Sequence, residues 1–259
     1  MEKQVFYKAA LILSIFLILA GCSATKVEKL QLNVSAASSL KSVMQELKEM
    51  YEQEQPGLTV SLNYASSGAL QQQIEQGAPA DVFVSAGKKQ IDALWDRGLV
   101  DKPQYVAGNS LVLVVPAGVQ KPPANLQQLT AASFRKIAIG TPETVPAGKY
   151  ARESLEHAGI WTEVSPRLVM SKDVRQVLVY VETGNADAGL VYRSDALTSG
   201  KVKTAYTVPP EFHSGIVYPA AVVRSSQQPG RAEAFVKFLL TSKAQAVFKK
   251  YGFTEAGNQ

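Results

Sequence analysis

A chain of 259 residues, 46% hydrophobic and 19% charged, is long enough for one large or two modest cores, and its composition excludes an intrinsically disordered polymer. The formal charge of +5 is dispersed, without clusters of Lys or Arg interleaved with aromatics, which excludes a nucleic-acid surface. Cys22 is the single cysteine, so no intrachain disulfide can form and stability must come from the core.

At the start of the chain, Lys3 and Lys8 precede an apolar run from Ala9 to Ala20. That run is too short to span a bilayer comfortably and fits the apolar region of a signal peptide. Leu19-Ala20-Gly21-Cys22 resembles the lipobox of bacterial lipoproteins, in which cleavage before the cysteine leaves it lipidated. Residues 1–21 are then a signal peptide, Cys22 the lipid anchor and residues 22–28 a polar tether. Removing Lys3, Lys8 and Glu2 with the signal leaves 25 basic and 21 acidic side chains, a mild +4.

The folded part begins with Leu30, Leu32 and Val34 alternating with polar residues, the period of a strand buried on one side. This strand ends in Ser35-Ala36-Ala37-Ser38-Ser39, and Leu40, Val43, Met44, Leu47 and Tyr51 then recur at helical spacing. The pattern repeats: Leu58 to Tyr64 alternates, Ala65-Ser66-Ser67-Gly68 follows, and Leu70 and Ile74 mark a short helix. Asp81 to Ser85 reads as a buried strand, followed by a helix through Ile91, Leu94 and Trp95 that Gly98 ends. Leu111 to Val115 is a continuous apolar strand. Ile137-Ala138-Ile139 is another, leading through Gly140 and the loop Thr141 to Val145 into a helix that starts near Pro146-Ala147-Gly148. A strand over Arg167 to Met170, a helix carrying Val174, Val177, Leu178 and Val181, and a buried strand Ala188 to Tyr192 come next. Strands are expected at Lys203–Val208 and Ile216–Val223, then two closing helices. Strands alternating with helices predict parallel-rich α/β sheets flanked by helices, and the Ile216 strand is expected to return to the first sheet.

Ser39, Ser67, Ala147 and Val174 each stand at or near the first residue of a helix that follows a strand. In an open α/β sheet those helix starts lie at the carboxyl ends of the strands, where ligands bind. The unpaired N–H groups of a first helical turn, with the positive end of the helix dipole behind them, bind anions without any basic side chain. Four converging helix starts therefore suit an acceptor-only oxyanion.

Seven stretches in register from Leu30 to Thr254 carry a resemblance. They are Ala36-Ala37-Ser38-Ser39-Leu40, Ala65-Ser66-Ser67, Gly77-Ala78-Pro79-Ala80-Asp81-Val82-Phe83, Gly108-Asn109-Ser110-Leu111, Val145 to Ala151, Asp173-Val174-Arg175 and Gly189 to Asp195. Together they resemble the bacterial molybdate-binding proteins of ABC transporters. The resemblance implies a type II periplasmic-binding-protein-like fold of two α/β domains with the ligand cleft between them. Domain 1 would comprise residues 29–108 and 219–259, and domain 2 residues 109–218. It also implies molybdate or tungstate as ligand, with no cofactor and molybdenum present only within the oxyanion. Ser39 and Ser67 would bind through hydroxyl and backbone N–H, Ala147 and Val174 through backbone N–H, and Tyr192 through its phenol. The partners implied are ABC permease subunits and, through Cys22, the membrane. An extracytoplasmic, lipid-anchored monomer is expected. The chain departs from the family's pattern at Ser38, where alanine is common, and at Gly68, where serine is frequent, so the binding serine within Ser38/Ser39 and within Ser66/Ser67 stays open.

An enzyme is the competing class. Gly140 and Gly148 have the wrong spacing for a phosphate loop, no Ser or Thr follows Lys149, and there is no G-x-S-x-G. His157 and His213 are isolated and read as solvated, so no catalytic constellation is expected. A receptor for sulfate, phosphate or a small organic acid is the alternative within the binding class, with Arg175 and Arg193 near the site in sequence. Asp81 and Asp195 would repel an anion and read as structural.

Overall fold

The computed structural model describes residues 30–255. The expected signal peptide, Cys22 and tether lie outside them. Two five-stranded sheets organise the chain. The first contains β1 (Leu30–Ala37), β2 (Leu58–Ala65), β3 (Val82–Val84), β4 (Gln104–Gly108) and β10 (Val217–Val222), in the order β2-β1-β3-β10-β4. The second contains β5 (Leu111–Pro116), β6 (Ile137–Gly140), β7 (Leu168–Ser171), β8 (Ala188–Tyr192) and β9 (Val202–Thr207), in the order β7-β6-β8-β5-β9.

Apolar spacing explains how each element is buried. In β1 the alternating Leu32 and Val34 are almost fully covered, whereas Leu111 to Val115 of β5 are buried on both faces, as their unbroken apolar run requires. Helix α1 (Lys41–Glu54) turns Val43, Met44, Leu47 and Tyr51 inward. Helix α6 (Val174–Glu182) does the same with Val177, Leu178 and Val181. The intervening helices are α2 (Ser67–Glu75), α3 (Lys88–Asp96), α4 (Pro146–His157) and a short α5 (Trp161–Val164). They are followed by α7 (Arg193–Ala196), α8 (Pro229–Leu239) and α9 (Ser242–Lys250). Among the described residues no helix is long and apolar enough to cross a membrane.

Both sheets are mixed in direction, with parallel strands on one side. β1 runs parallel to β3, and β6 runs parallel to β7 and β8, but β5 and β10 run against their neighbours. The reason lies in the two crossings between sheets. β4 ends at Gly108 and β5 begins at Leu111, so β5 sets out from the end of the second sheet at which β8 finishes, and Leu111 pairs with Tyr192. β10 likewise enters the first sheet from the second and runs antiparallel to β3, with Ala220 opposite Val84. The return of this strand to the first sheet is as the sequence led us to expect. Two elements had no clear signal: β4, whose Gln104-Tyr105 start is polar and exposed, and the four-residue α5.

The turn from β6 into α4 depends on two glycines. A Cβ on Gly148 would run into the carbonyl oxygen of Gly140, and one on Gly140 would collide with the Val145 side chain. Only bare backbone lets the start of α4 sit directly over the end of its strand.

Candidate functional site

The five residues marked by the sequence line one cavity. It encloses about 180 Å³ of non-atom space, part of it open to solvent, and its wall includes Ser39, Ser67, Ala147, Val174 and Tyr192. The first sheet's connections supply the serines. Ala147, Val174 and Tyr192 come from α4, α6 and the end of β8. All five are 4% exposed or less. Ser38 and Ser66, the other members of the two serine pairs, line it too, and Ala37, Ala86, Val145 and Pro146 complete the wall without having been marked as binding residues. Ala86 follows β3 as the serines follow β1 and β2, so the same strand-end rule could have found it.

Neither Ser39 nor Ser67 is a helix cap. Ser66 caps α2, its Oγ accepting from Ala69 N, and Ala37 precedes the 3₁₀ turn Ser38–Leu40. Ser67 Oγ instead accepts the backbone N–H of Ala86 at 2.9 Å, and Ser39 Oγ accepts from the Tyr218 hydroxyl at 3.2 Å. A serine hydroxyl that already accepts a bond keeps its one proton for another partner. Ser67 and Val174 are the first residues of α2 and α6, and Ala147 the second of α4, so their N–H groups have no acceptor one helical turn earlier. Among the described residues these N–H groups donate to nothing else.

Tyr192 is 1% exposed, and burial, reinforced by Tyr218, Tyr150 and Asp195, holds its phenol well above the ordinary range. It is therefore a neutral hydroxyl. Its proton points at the Ala86 carbonyl oxygen, 3.2 Å away, so donation into the cavity requires a rotation about the C–O bond.

The wall of the cavity carries no Lys, Arg or His. Lys149 points elsewhere, pairing with Glu153 at 3.1 Å and Ser214 at 2.9 Å. Arg175 leaves α6 to bond the Ser38 carbonyl at 3.2 Å and Ser42 Oγ at 2.6 Å. Arg175 thus ties the second sheet's helix to the first sheet's loop. Two further bonds close the same seam. Gly68 N donates to Thr144 O at 2.9 Å, an approach open because a Cβ on Gly68 would lie 2.6 Å from that oxygen, and Tyr192 reaches Ala86.

The acidic residues differ. Asp81 is structural, accepting from Asn33 N at 2.7 Å and Ser226 Oγ at 2.5 Å. Asp195 is buried with neither carboxylate oxygen hydrogen-bonded among the described residues, its one ion-pair partner there being Arg175, whose Nε lies 3.9 Å from Oδ1. Burial raises its pKa to about 7 against the pull of Arg175, with Asp173 adding to the rise. His157 is exposed and stacks on Phe212, with ring centroids 4.2 Å apart. His213 departs from the solvated reading: it lies in the loop against the Tyr150 ring, and its Nε2 is buried without a partner among the described residues. Among the described residues no group of His, Cys, Asp or Glu is placed to hold a metal ion.

Comparison with known proteins places this geometry in context. Residues 32–254 match the family described as bacterial extracellular solute-binding protein. The chain is 44% identical over 260 residues to YvgL of Bacillus subtilis, whose name describes an ABC transporter substrate-binding lipoprotein, with 98% of each chain covered. It is 40% identical to the molybdate-binding protein ModA of Escherichia coli, over 86% of this chain and 89% of that one. Among solved structures, the periplasmic molybdate-binding protein of Azotobacter vinelandii superposes with a TM-score of 0.79 at 26% identity. That alignment covers 87% of this chain and 100% of the other.

Proposed function

Because the chain belongs to the bacterial extracellular solute-binding protein family, we propose that it captures molybdate or tungstate between its two sheets and delivers it to an ABC permease. The observation that carries this reading is a cavity with no basic side chain, walled by first-turn N–H groups and by serine hydroxyls, those of Ser39 and Ser67 each accepting one bond and keeping a proton for a ligand. Such a wall is rich in donors and carries no charged acceptor. It suits a fully ionised tetrahedral oxyanion and disfavours one that retains a proton. Molybdate binding in the ModA relatives and the similarity to the Azotobacter protein support the choice of ion.

In this reading Ser39, Ser67, Ala147, Val174 and Tyr192 hold the ion. Residues 29–108 with 219–259 form one domain and 109–218 the other, except that Val217 and Tyr218 go with the first because β10 starts at Val217; the chain passes between the domains at Asn109-Ser110 and just before β10. Cys22 is the lipid anchor that keeps the receptor outside the membrane, and the protein works as a monomer. The name of the Bacillus relative supports the anchor.

A thermal-shift panel tests the function. At a ligand concentration 100 times the dissociation constant, binding stabilises a protein by about 2.7 kcal/mol, which for a chain of this size raises Tm by about 5 to 10 °C. Molybdate and tungstate are expected to do this, and phosphate and amino acids are not. A shift with an amino acid and none with either metal oxyanion would reject the reading. Ser39→Ala and Ser67→Ala are each expected to weaken molybdate binding by about 1.5 to 3 kcal/mol, the worth of a hydrogen bond to a charged group. Wild-type affinity in both variants would remove the serines from the site.

A further inference from the structure

Ser39 does not stand alone. Its hydroxyl is the end of a buried chain of hydrogen bonds that begins in the crossing between the sheets. The backbone N–H of Ser110 donates to Asn109 Oδ1 at 2.9 Å, which fixes the orientation of that amide. Asn109 Nδ2 therefore faces the other way and donates to Ser194 Oγ at 2.8 Å and to the Tyr218 hydroxyl oxygen at 3.2 Å. Tyr218, 0% exposed, has one acceptor for its own proton among the described residues, Ser39 Oγ at 3.2 Å. A Ser39 proton turned toward Tyr218 would leave the buried phenol proton without an acceptor, a costly arrangement. Ser39 has no other hydrogen-bond partner among the described residues, so its proton is left for a ligand in the cavity that it lines.

Resting on the molybdate reading above, we propose that Tyr218, oriented by Asn109, is a positioning residue that fixes Ser39 as a donor and so selects oxyanions that carry no proton. Tyr218 is not part of the cavity wall and acts through Ser39. Every bond in the chain has the same polarity, Asn109 to Tyr218 to Ser39 to ligand, and aligned bonds strengthen one another. The tyrosine ring is held independently of its hydroxyl, edge-on to Tyr192 at 5.7 Å and to Phe253 at 5.2 Å, so Tyr218→Phe retains the packing.

The test is a double-mutant cycle by calorimetry with molybdate on wild type, Tyr218→Phe, Ser39→Ala and the double variant. Tyr218→Phe is expected to bind about five- to tenfold more weakly than wild type. In the Ser39→Ala background the same change is expected to have no further effect, which a general structural role would not produce. A second variant, Asn109→Asp, replaces the amide donor with an acceptor, so Tyr218 turns its proton away from Ser39 and Ser39 offers an acceptor lone pair. It is expected to narrow the preference for molybdate over hydrogen phosphate, two ions of equal charge of which only the second carries a proton. Wild-type affinity in Tyr218→Phe, a loss that persists without the Ser39 hydroxyl, or an unchanged ion preference in Asn109→Asp would overturn the proposal. Wild type silent toward molybdate in the same run would instead overturn the functional reading on which it rests.

Discussion

Replacing Ala147 with proline is expected to reduce molybdate affinity at least 100-fold while leaving the fold intact. The Ala147 N–H sits in the first turn of α4, opens into the cavity and donates to nothing else among the described residues. Proline removes this donor, worth about 1.5 to 3 kcal/mol against a charged ligand, and places its ring where the proton pointed. The helix loses little, because first-turn positions tolerate proline and no internal bond is broken. Crowding of the preceding Pro146 adds a modest cost in stability. Ala147→Gly keeps the N–H and is expected to bind within a few fold of wild type. Calorimetry with both variants, alongside melting curves, separates the two effects. A proline variant that binds normally would exclude α4 from the site.

The second large effect is on stability against pH. The Asp195 carboxyl titrates near 7 in the fold and near its ordinary 3.8 in the unfolded chain. Between those values the native state holds a proton that the unfolded state has lost, so stability falls as pH rises through this window. Below it both states are protonated, and above it the full cost of the buried charge is present. At about 1.4 kcal/mol per unit the span is on the order of 4 kcal/mol, an upper limit because Arg175 and local relaxation soften it. Asp195→Asn is expected to be about 2 to 4 kcal/mol more stable than wild type at pH 8 and nearly equal to it at pH 4. Parallel stability curves for the two proteins across this range would contradict the assignment of a neutral, buried Asp195.

The strands and helices were readable in the chain because their apolar residues keep strict periods, as in Leu32 and Val34 or in Val174, Val177, Leu178 and Val181. The helix-start residues were readable too, since a strand, small residues and a helix in succession put backbone donors at one end of a sheet. Local pattern did not reveal direction: β5 and β10 run against their neighbours because the chain crosses between sheets there, a property of topology and not of any one segment. Tyr218 and Asn109 were hidden for the same reason. Tyr218 lies 179 residues from Ser39, and only the folded chain brings the hydroxyls within 3.2 Å. Both Ser66 and Ser67 were legible as polar residues at a helix start, but which of them caps α2 emerged only in the fold, where Ser66 does so and Ser67 accepts from Ala86 N instead.

The central claim is that a cage of donors without counter-charges binds a tetrahedral dianion. Titration calorimetry of the chain without its signal peptide tests it most directly. The account predicts saturable binding of one molybdate per chain with a dissociation constant near 1 μM or below, about −8 kcal/mol or better, and no comparable heat with hydrogen phosphate. Absence of saturable binding with both molybdate and tungstate would contradict it.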